Sequence, residues 1–451
     1  MLQVTVALPS GRGEKFSLPQ SSNVADLRVL AQKSFQLGVL RLVAADHSVV
    51  DPTKSLQAAG LEDGDHLTAI AVKPKLAATD RAFALFCSGG DRVVTFGNPD
   101  FGGDSSHVQD QLKGVQQVQA SLSAFAAILA NGSVVTWGDP GEGSDSSAVQ
   151  DQLKGVQQVQ ASWAAFAAIL SDGSVVTWGD EDSGGDSSEV QEKLKGAKQV
   201  HATARAFAAI LADGSVVTWG NPDCGGDSSE VQDQLKSVQK VQSTQTAFAA
   251  ILADGSITTW GNPHCGGDMS EVQDQLKGVQ QVQATWYAFA AILADGSIVT
   301  WGSPDAGGAS SEVQDQLKGV LQVEGSSSAF AAILADGSVV TWGDYGNNSS
   351  VVQDQLEGVQ QLQATLGAFA AILADGSVVT WGNPDYGGDS SVVQDQLKGV
   401  QQVEATSSAF AAILADGSVV TWGNPDYGGD SSTVADHFTT LGWLPGLKAA
   451  L

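Results

Sequence analysis

The feature that most constrains this chain is a period. The tripeptide T-W-G, written T-F-G at its first occurrence, returns at Phe96, Trp137, Trp178, Trp219, Trp260, Trp301, Trp342, Trp381 and Trp422. The spacing is 41 residues at every step but one: 39 separate Trp342 from Trp381, and the missing two fall in the shortened loop GDYGNNSS. A constant period of this length means one supersecondary unit stacked many times. It overrides the prior of about three domains that length alone would suggest.

One unit reads VQQVEATSSAFAAILADGSVVTWGNPDYGGDSS. VQQVEA predicts a half-apolar first strand. AFAAIL, apolar throughout, predicts a second strand covered on both faces. Asp416-Gly417 follows, with two residue types that tolerate the positive φ of a tight hairpin. SVVTWG is then the third strand. The segment SSEVQDQLKG, found in several copies, predicts a short helix of under two turns, with Ser229 capping, Gln232 reaching back, and Val231 and Leu235 on one face.

Three antiparallel strands cannot bury an apolar middle strand alone. Packing unit on unit does so, and radial closure also removes long exposed edges, which is the β-propeller solution. The fold expected is mainly β: a propeller of about nine three-stranded blades with short helices, the Trp of each T-W-G lying between blades. Each hairpin has its own first strand, VKPKLAATDRAF supplying the one for the first unit. A nine-bladed ring is therefore expected, with an open, gently spiralling stack as the alternative.

Residues 1–72 have a different texture. LQVTVAL and KFSLP read as a hairpin around PSGRGE. SSNVADLRVLAQKSF reads as an amphipathic helix with Val24, Leu27, Leu30 and Ala31 on one face. VLRLVAAD and LEDGDHLTAIAV supply further strands. The segment runs into the first unit almost without a linker, so a fixed arrangement is expected. The organisation is thus an α+β domain over 1–72, the repeats over 73–438 and an apolar tail over 439–451, whose Trp443, Leu444 and Leu447 are expected to dock on the ring.

These residues carry two resemblances. LQVTVAL, LRLVA and SLQAAGLEDGDHLTAIAV resemble the ubiquitin-like fold. That likeness implies an apolar docking patch to which Val43 and Ile70 correspond, with Pro9 near a third position; it implies no conjugation, because no Gly-Gly end follows Val72. AFAAILADGSVVTWGNPDYGG is similar to the regulator-of-chromosome-condensation repeat, and the short period likens it to the compact propeller of a bacterial β-lactamase inhibitor. The likeness covers about 80–433 and is met nine times. It departs from the family in having Phe where His is frequent at the start of the second strand, in having Thr or Ser where Gly usually precedes that strand, and in counting nine units rather than seven. HERC-type ubiquitin ligases carry similar repeats. Their catalytic HECT module is absent here, so no ligase activity is expected.

Comparing the units with one another locates the variation. The pair before A-F varies among the copies: Asp80-Arg81, Leu122-Ser123, Trp163-Ala164, Ala204-Arg205, Gln245-Thr246, Trp286-Tyr287, Ser327-Ser328, Leu366-Gly367, Ser407-Ser408. So does the residue before G-G, among them Phe101, Cys224, Cys265, Ala306, Tyr386 and Tyr427. A third variable place follows the Ser pair, as His107, Glu230, Val351 or Thr433. Topology puts the first two at one end of the strands. A rigid scaffold presenting varied loop residues is how repeat proteins build a binding surface. The expected partner face is Trp286, Tyr287, Trp163, Arg81, Arg205, Gln245, Leu122, Leu366, Phe101, Tyr386 and Tyr427, rich in types that anchor interfaces.

The net charge of −28 repels nucleic acid and anionic lipid and favours basic partners. Three cysteines, Cys87, Cys224 and Cys265, make no disulfide framework and point to a reducing compartment, cytoplasm or nucleus. No secretory signal and no apolar run long enough to span a membrane is read. The six histidines are scattered, and no H-E-x-x-H, G-x-S-x-G or P-loop occurs. Cys224 and Cys265, with His264 beside the latter, lack metal-ligand spacing, and the acidic loops lack that of a dedicated Ca²⁺ site. No catalytic residue, metal or cofactor is therefore expected. The function expected is a monomeric interaction scaffold, its propeller face binding a protein and its N-terminal domain docking to ubiquitin-pathway machinery. Nucleotide exchange on a small GTPase and enzyme inhibition are the alternatives.

Overall fold

An AFAAIL segment has no polar side chain on either face, so it persists as a strand only between two covers. The computed structural model describes residues 1–432 apart from 36, 38, 39, 53, 91 and 345–348. The tail residues Trp443, Leu444 and Leu447, and Thr433, lie outside the described residues. Within them each unit forms a three-stranded antiparallel sheet, nine in all among the described residues, repeated in the manner of a propeller. In the second unit the inner, middle and outer strands are Val115–Ala120, Ala124–Leu129 and Val134–Gly138, and every middle-strand residue is buried.

The middle strands interdigitate large against small. Phe125, Ala127 and Leu129 pack with Trp137 against Ala82, Ala84 and Phe86 of the preceding unit. The opposite face, Ala124, Ala126 and Ile128, takes Phe166, Ala168 and Trp178 of the next. Each Trp stacks on the Phe of its own middle strand, as Trp219 does on Phe207 at 5.2 Å and 15°. In all of them but Trp381 the Nε1–H donates to a glycine carbonyl of the preceding unit's loop, Trp219 to Gly184 at 3.0 Å and Trp301 to Gly266 at 3.0 Å. That loop must come close: a Cβ on Gly184, at φ 89°, would lie 2.6 Å from the Phe207 ring. The ninth unit reaches the first in the same way, Ala409, Ala411, Ile413 and Val419 packing with Phe83, Leu85 and Phe96.

Two local expectations are corrected. The hairpin turn needs positive φ only at its glycine (Gly417, 83°), because Leu414 N–H donates to Ser418 O and Gly417 N–H to Leu414 O. Asp416 contributes its carboxylate instead, accepting from Ser418 N–H at 2.9 Å and Oγ–H at 2.6 Å. The SSEVQDQLKG segment is not an α-helix. It runs as turns, with 3-10 pieces such as Gln273–Gln275 and Gln394–Gln396. Gln232 does not cap; its Nε2–H donates to Val216 O at 3.0 Å, fastening the segment to the outer strand, and its Oε1 accepts from Ser228 Oγ. Ser229 N–H is itself taken by Asp227 Oδ1 at 2.9 Å.

The N-terminal segment folds as β1 (Leu2–Ala7), β2 (Gly13–Leu18), α1 (Val24–Phe35), β3 (Leu40–Val43) and β4 (His66–Ala71). The sheet order is β2-β1-β4-β3, with β1 and β4 parallel. Val24, Leu27, Ala31 and Phe35 face the sheet, whereas Leu30, assigned above to that face, is 42% exposed. Asn23 N–H donates to Asp26 Oδ2 at the helix start. The first unit's hairpin turn meets this domain: Arg41 Nη2 donates to Ser88 O at 3.0 Å, and burial pushes the Cys87 thiol up to about 12. Val43, expected in an exposed patch, is buried, which leaves only Ile70 of the two at the surface. Among the described residues no helix is long and apolar enough to cross a membrane.

Candidate functional site

The variable pair sits where three sets of hydrogen bonds converge. Before each pair stands a buried Thr or Ser, the departure from the resembling repeat noted above. Thr203 shows its use: Oγ1–H donates to Cys224 O at 2.9 Å, and the oxygen accepts from Ala206 N–H at 3.0 Å. This hydroxyl ties the pair's loop to the loop after the outer strand. The second residue of the pair accepts from that loop through its carbonyl, as Arg205 O does from Asn221 N–H and Tyr287 O from Ser303 N–H, each at 2.9 Å.

The first residues of the pairs are linked to one another. Asp80 N–H donates to Leu122 O, Leu122 to Trp163, Trp163 to Ala204, Ala204 to Gln245, Gln245 to Trp286, Trp286 to Ser327, Ser327 to Leu366, Leu366 to Ser407, and Ser407 back to Asp80 at 3.1 Å. The backbone of the pair is thus engaged whatever side chain it carries. Variation there costs the scaffold little, which is why the frame repeats while these letters change.

The side chains expected on this face divide into two groups. Trp286 and Tyr287 lie edge to face at 6.3 Å and 83°, and Tyr287 is 38% exposed. Trp163, Leu122, Leu366 and Gln245, each in another unit, are half-buried, and Arg205 is exposed. The others are already occupied within the molecule. The Arg81 guanidinium lies 4.7 Å from the Phe101 ring centre and 4.5 Å from that of Tyr427, with Nε 3.3 Å from Asp80 Oδ2. Ser407 Oγ hydrogen-bonds Asp80 Oδ1 across the same seam between the last and first units. Tyr386 covers Gly367, where a Cβ would lie 3.2 Å from its ring. Cys224 and Cys265 are buried. His107, Glu230 and Val351 are exposed beyond the loops, past the Ser pair.

One row of residues was missed. The fifth position of the inner strand carries Gln119, Gln160, His201, Gln242, Gln283, Glu324, Gln363 and Glu404, with Ala77 in the first unit. Inner strands of adjacent units lie side by side, and Gln242 Nε2–H donates to Gln283 Oε1 across that junction at 3.0 Å. Burial, with Glu404 adding to it, pushes Glu324 up to about 7. Burial also raises Glu404 and lowers His201. The signal was present in the sequence as Q changing to H or E at the fifth place of a strand that in most copies is close to VQQVQA.

Sheets, loops and linked pairs together define a propeller-type repeat protein with a small α+β domain before it. No family model matches the chain, and no curated protein matches it. Among solved structures it is similar to Prp20p from Saccharomyces cerevisiae, at 14% identity over 69% of this chain and 83% of that one, TM-score 0.38. It is also similar to the CRINKLY WD40 ectodomain of an Arabidopsis thaliana receptor kinase, at 17% identity over 57% and 92%, TM-score 0.34. A third likeness, to Caldiarchaeum subterraneum ubiquitin, has 18% identity over 16% and 91%, TM-score 0.15. At such low TM-scores these likenesses bear no weight, and the fold stands on its own repeated sheets.

Proposed function

We propose that this chain is a monomeric, non-catalytic interaction scaffold. Nine blades close into one propeller, a ubiquitin-like domain is held against the first blade, and the face carrying the variable pairs binds a protein partner. The observation that carries this reading is the separation of roles within the pair: its backbone belongs to the ring of hydrogen bonds, and its side chains are left to differ. Trp286 and Tyr287 form the broadest apolar anchor among these pairs. Docking of the N-terminal domain to ubiquitin-pathway machinery has less support, because Val43 is buried and Arg41 is engaged by Ser88. Three free, buried cysteines suit a reducing compartment such as cytoplasm or nucleus. No observation favours nucleotide exchange or enzyme inhibition.

The test is affinity capture with the full chain, the Trp286→Ala/Tyr287→Ala double variant, and Asp295→Asn as a control at the hairpin-turn end of the same unit. Partners retained by the parent and the control are expected to fall by about tenfold or more with the double variant. Equal retention by all three would remove the basis for the reading.

A further inference from the structure

The chain itself crosses every junction between successive units, but not the one between the ninth unit and the first. Packing continues across that seam. Ala409, Ala411, Ile413 and Val419 lie against Phe83, Leu85 and Phe96, with Cys87 and Tyr427 in the same cluster. Phe96 stands where the other units have tryptophan, so it has no N–H to offer the ninth unit's loop. The seam has instead the pair Asp80-Arg81, which occurs once among the nine pairs. The Arg81 guanidinium lies 4.7 Å from the Phe101 ring centre in its own unit and 4.5 Å from that of Tyr427 in the ninth. Asp80 accepts from Arg81 Nε–H at 3.3 Å through Oδ2, and from Ser407 Oγ–H of the ninth unit through Oδ1. Among the described residues no other junction between units holds a cation over a ring.

We propose that Asp80 and Arg81 are a latch and that the seam is a gate, the one junction at which the ring opens while its units stay folded. The assignment rests on the reading of the ring as closed. Two units at any other junction stay joined by a short connection, which keeps them at high effective concentration and returns them to contact. The first and ninth units are joined only through the rest of the ring, so side chains alone hold them. The latch is made of groups that can let go. The Arg81 and Asp80 side chains are 36% and 22% exposed, so parting them hydrates two charges and strands neither in the interior. A planar guanidinium stacks on two rings at once, which a lysine ammonium does less well. Apolar packing drives the seam shut, and the latch sets how rarely it opens.

The chain carries its own reporters. Cys87 is 3% exposed within the seam cluster, whereas Cys224 lies between the fourth and fifth units and Cys265 between the fifth and sixth. Cys87 ends its middle strand at the hairpin-turn end of the seam, and Ser407 N–H, bonded to Asp80 O, reports the pair end. The full chain and its variants are treated with N-ethylmaleimide, and peptide mass spectrometry reads each cysteine separately. Amide exchange is followed at Ser407 and Leu366. Arg81→Ala is expected to raise the Cys87 labelling rate and the Ser407 exchange rate about tenfold or more, with Cys224, Cys265 and Leu366 unchanged. Arg81→Lys, which keeps the charge and stacks less well, is expected to fall between parent and Arg81→Ala. Tyr427→Ala is expected to open the seam too, and combining it with Arg81→Ala to add less than the sum of the two. A rise shared by all three thiols would mean stability lost throughout and would overturn the latch. So would unchanged rates in Arg81→Ala, or a response at only one of Cys87 and Ser407, which would confine the opening to one end. In the parent, an open Ser407 amide beside a protected Leu366 would remove the closed ring and the latch together. Parent protection at both amides with no response to Arg81→Ala would sink the latch alone.

Discussion

Replacing Trp219 by alanine is expected to destabilise the fourth unit by about 3–5 kcal/mol, the range for a large aromatic removed from a packed interior. The side chain is 4% exposed, stacks on Phe207 and donates to Gly184 O. Alanine would leave a cavity between two units and a buried carbonyl without its donor. Trp219→Phe separates these losses, and the molecule supplies its own precedent. Phe96 occupies the same place in the first unit, stacked on Phe83 at 5.2 Å. The phenylalanine variant should keep the stacking and lose chiefly the hydrogen bond, at a cost of about 1–3 kcal/mol. Urea unfolding monitored for both variants checks the ordering. A Trp219→Phe loss as large as that of Trp219→Ala would mean the indole N–H, rather than packing, joins the units.

The second large effect depends on pH. Glu324 has its pKa raised from 4.5 to about 7 by burial, with Glu404 contributing. Keeping a carboxyl protonated in the folded state means its contribution to stability is fully present below about 4.5 and is lost as pH rises through about 7. Above that, the folded state carries an ionised, desolvated carboxylate, at a cost of up to about 3 kcal/mol. Glu324→Gln keeps the shape and joins the row of glutamines on either side. It is expected to match the parent at pH 4.5 and to exceed it in urea midpoint at pH 8. An equal midpoint at pH 8 would show that Glu324 is better solvated than its surroundings indicate.

Much of this fold is legible in the sequence because it repeats. Period and alternation place the three strands of each unit within a residue or two, and the T-W-G tryptophans lie between units as expected. The meeting of the variable pair with the N-P-D loop follows from strand direction alone. What was not legible depends on contacts between units. Arg81 reads as a free basic residue until Tyr427, far along the chain, comes round to stack on it. The row through His201, Glu324 and Glu404 reads as the polar half of an edge strand, since nothing local reveals that inner strands line up side by side. The SSEVQDQLKG segment has helical spacing, but its glutamine is taken by the outer strand's carbonyl, and tertiary contact overrides the local preference. Val43 fails as a surface residue for a similar reason: a β-branched strand residue gives no sign of which neighbour will cover it.

The contacts between the last and first units depend on the ring being closed, because only closure brings Asp80, Arg81, Ser407 and Tyr427 together. Amide hydrogen exchange at Ser407 tests this most directly. Its N–H donates to Asp80 O at 3.1 Å across the seam, whereas Leu366 N–H donates to Ser407 O at 3.0 Å between two units adjacent in sequence. A closed ring predicts that both amides exchange slowly and to a similar degree. Leu366 protected beside a Ser407 exchanging as an open amide would contradict closure and leave a spiral stack in its place.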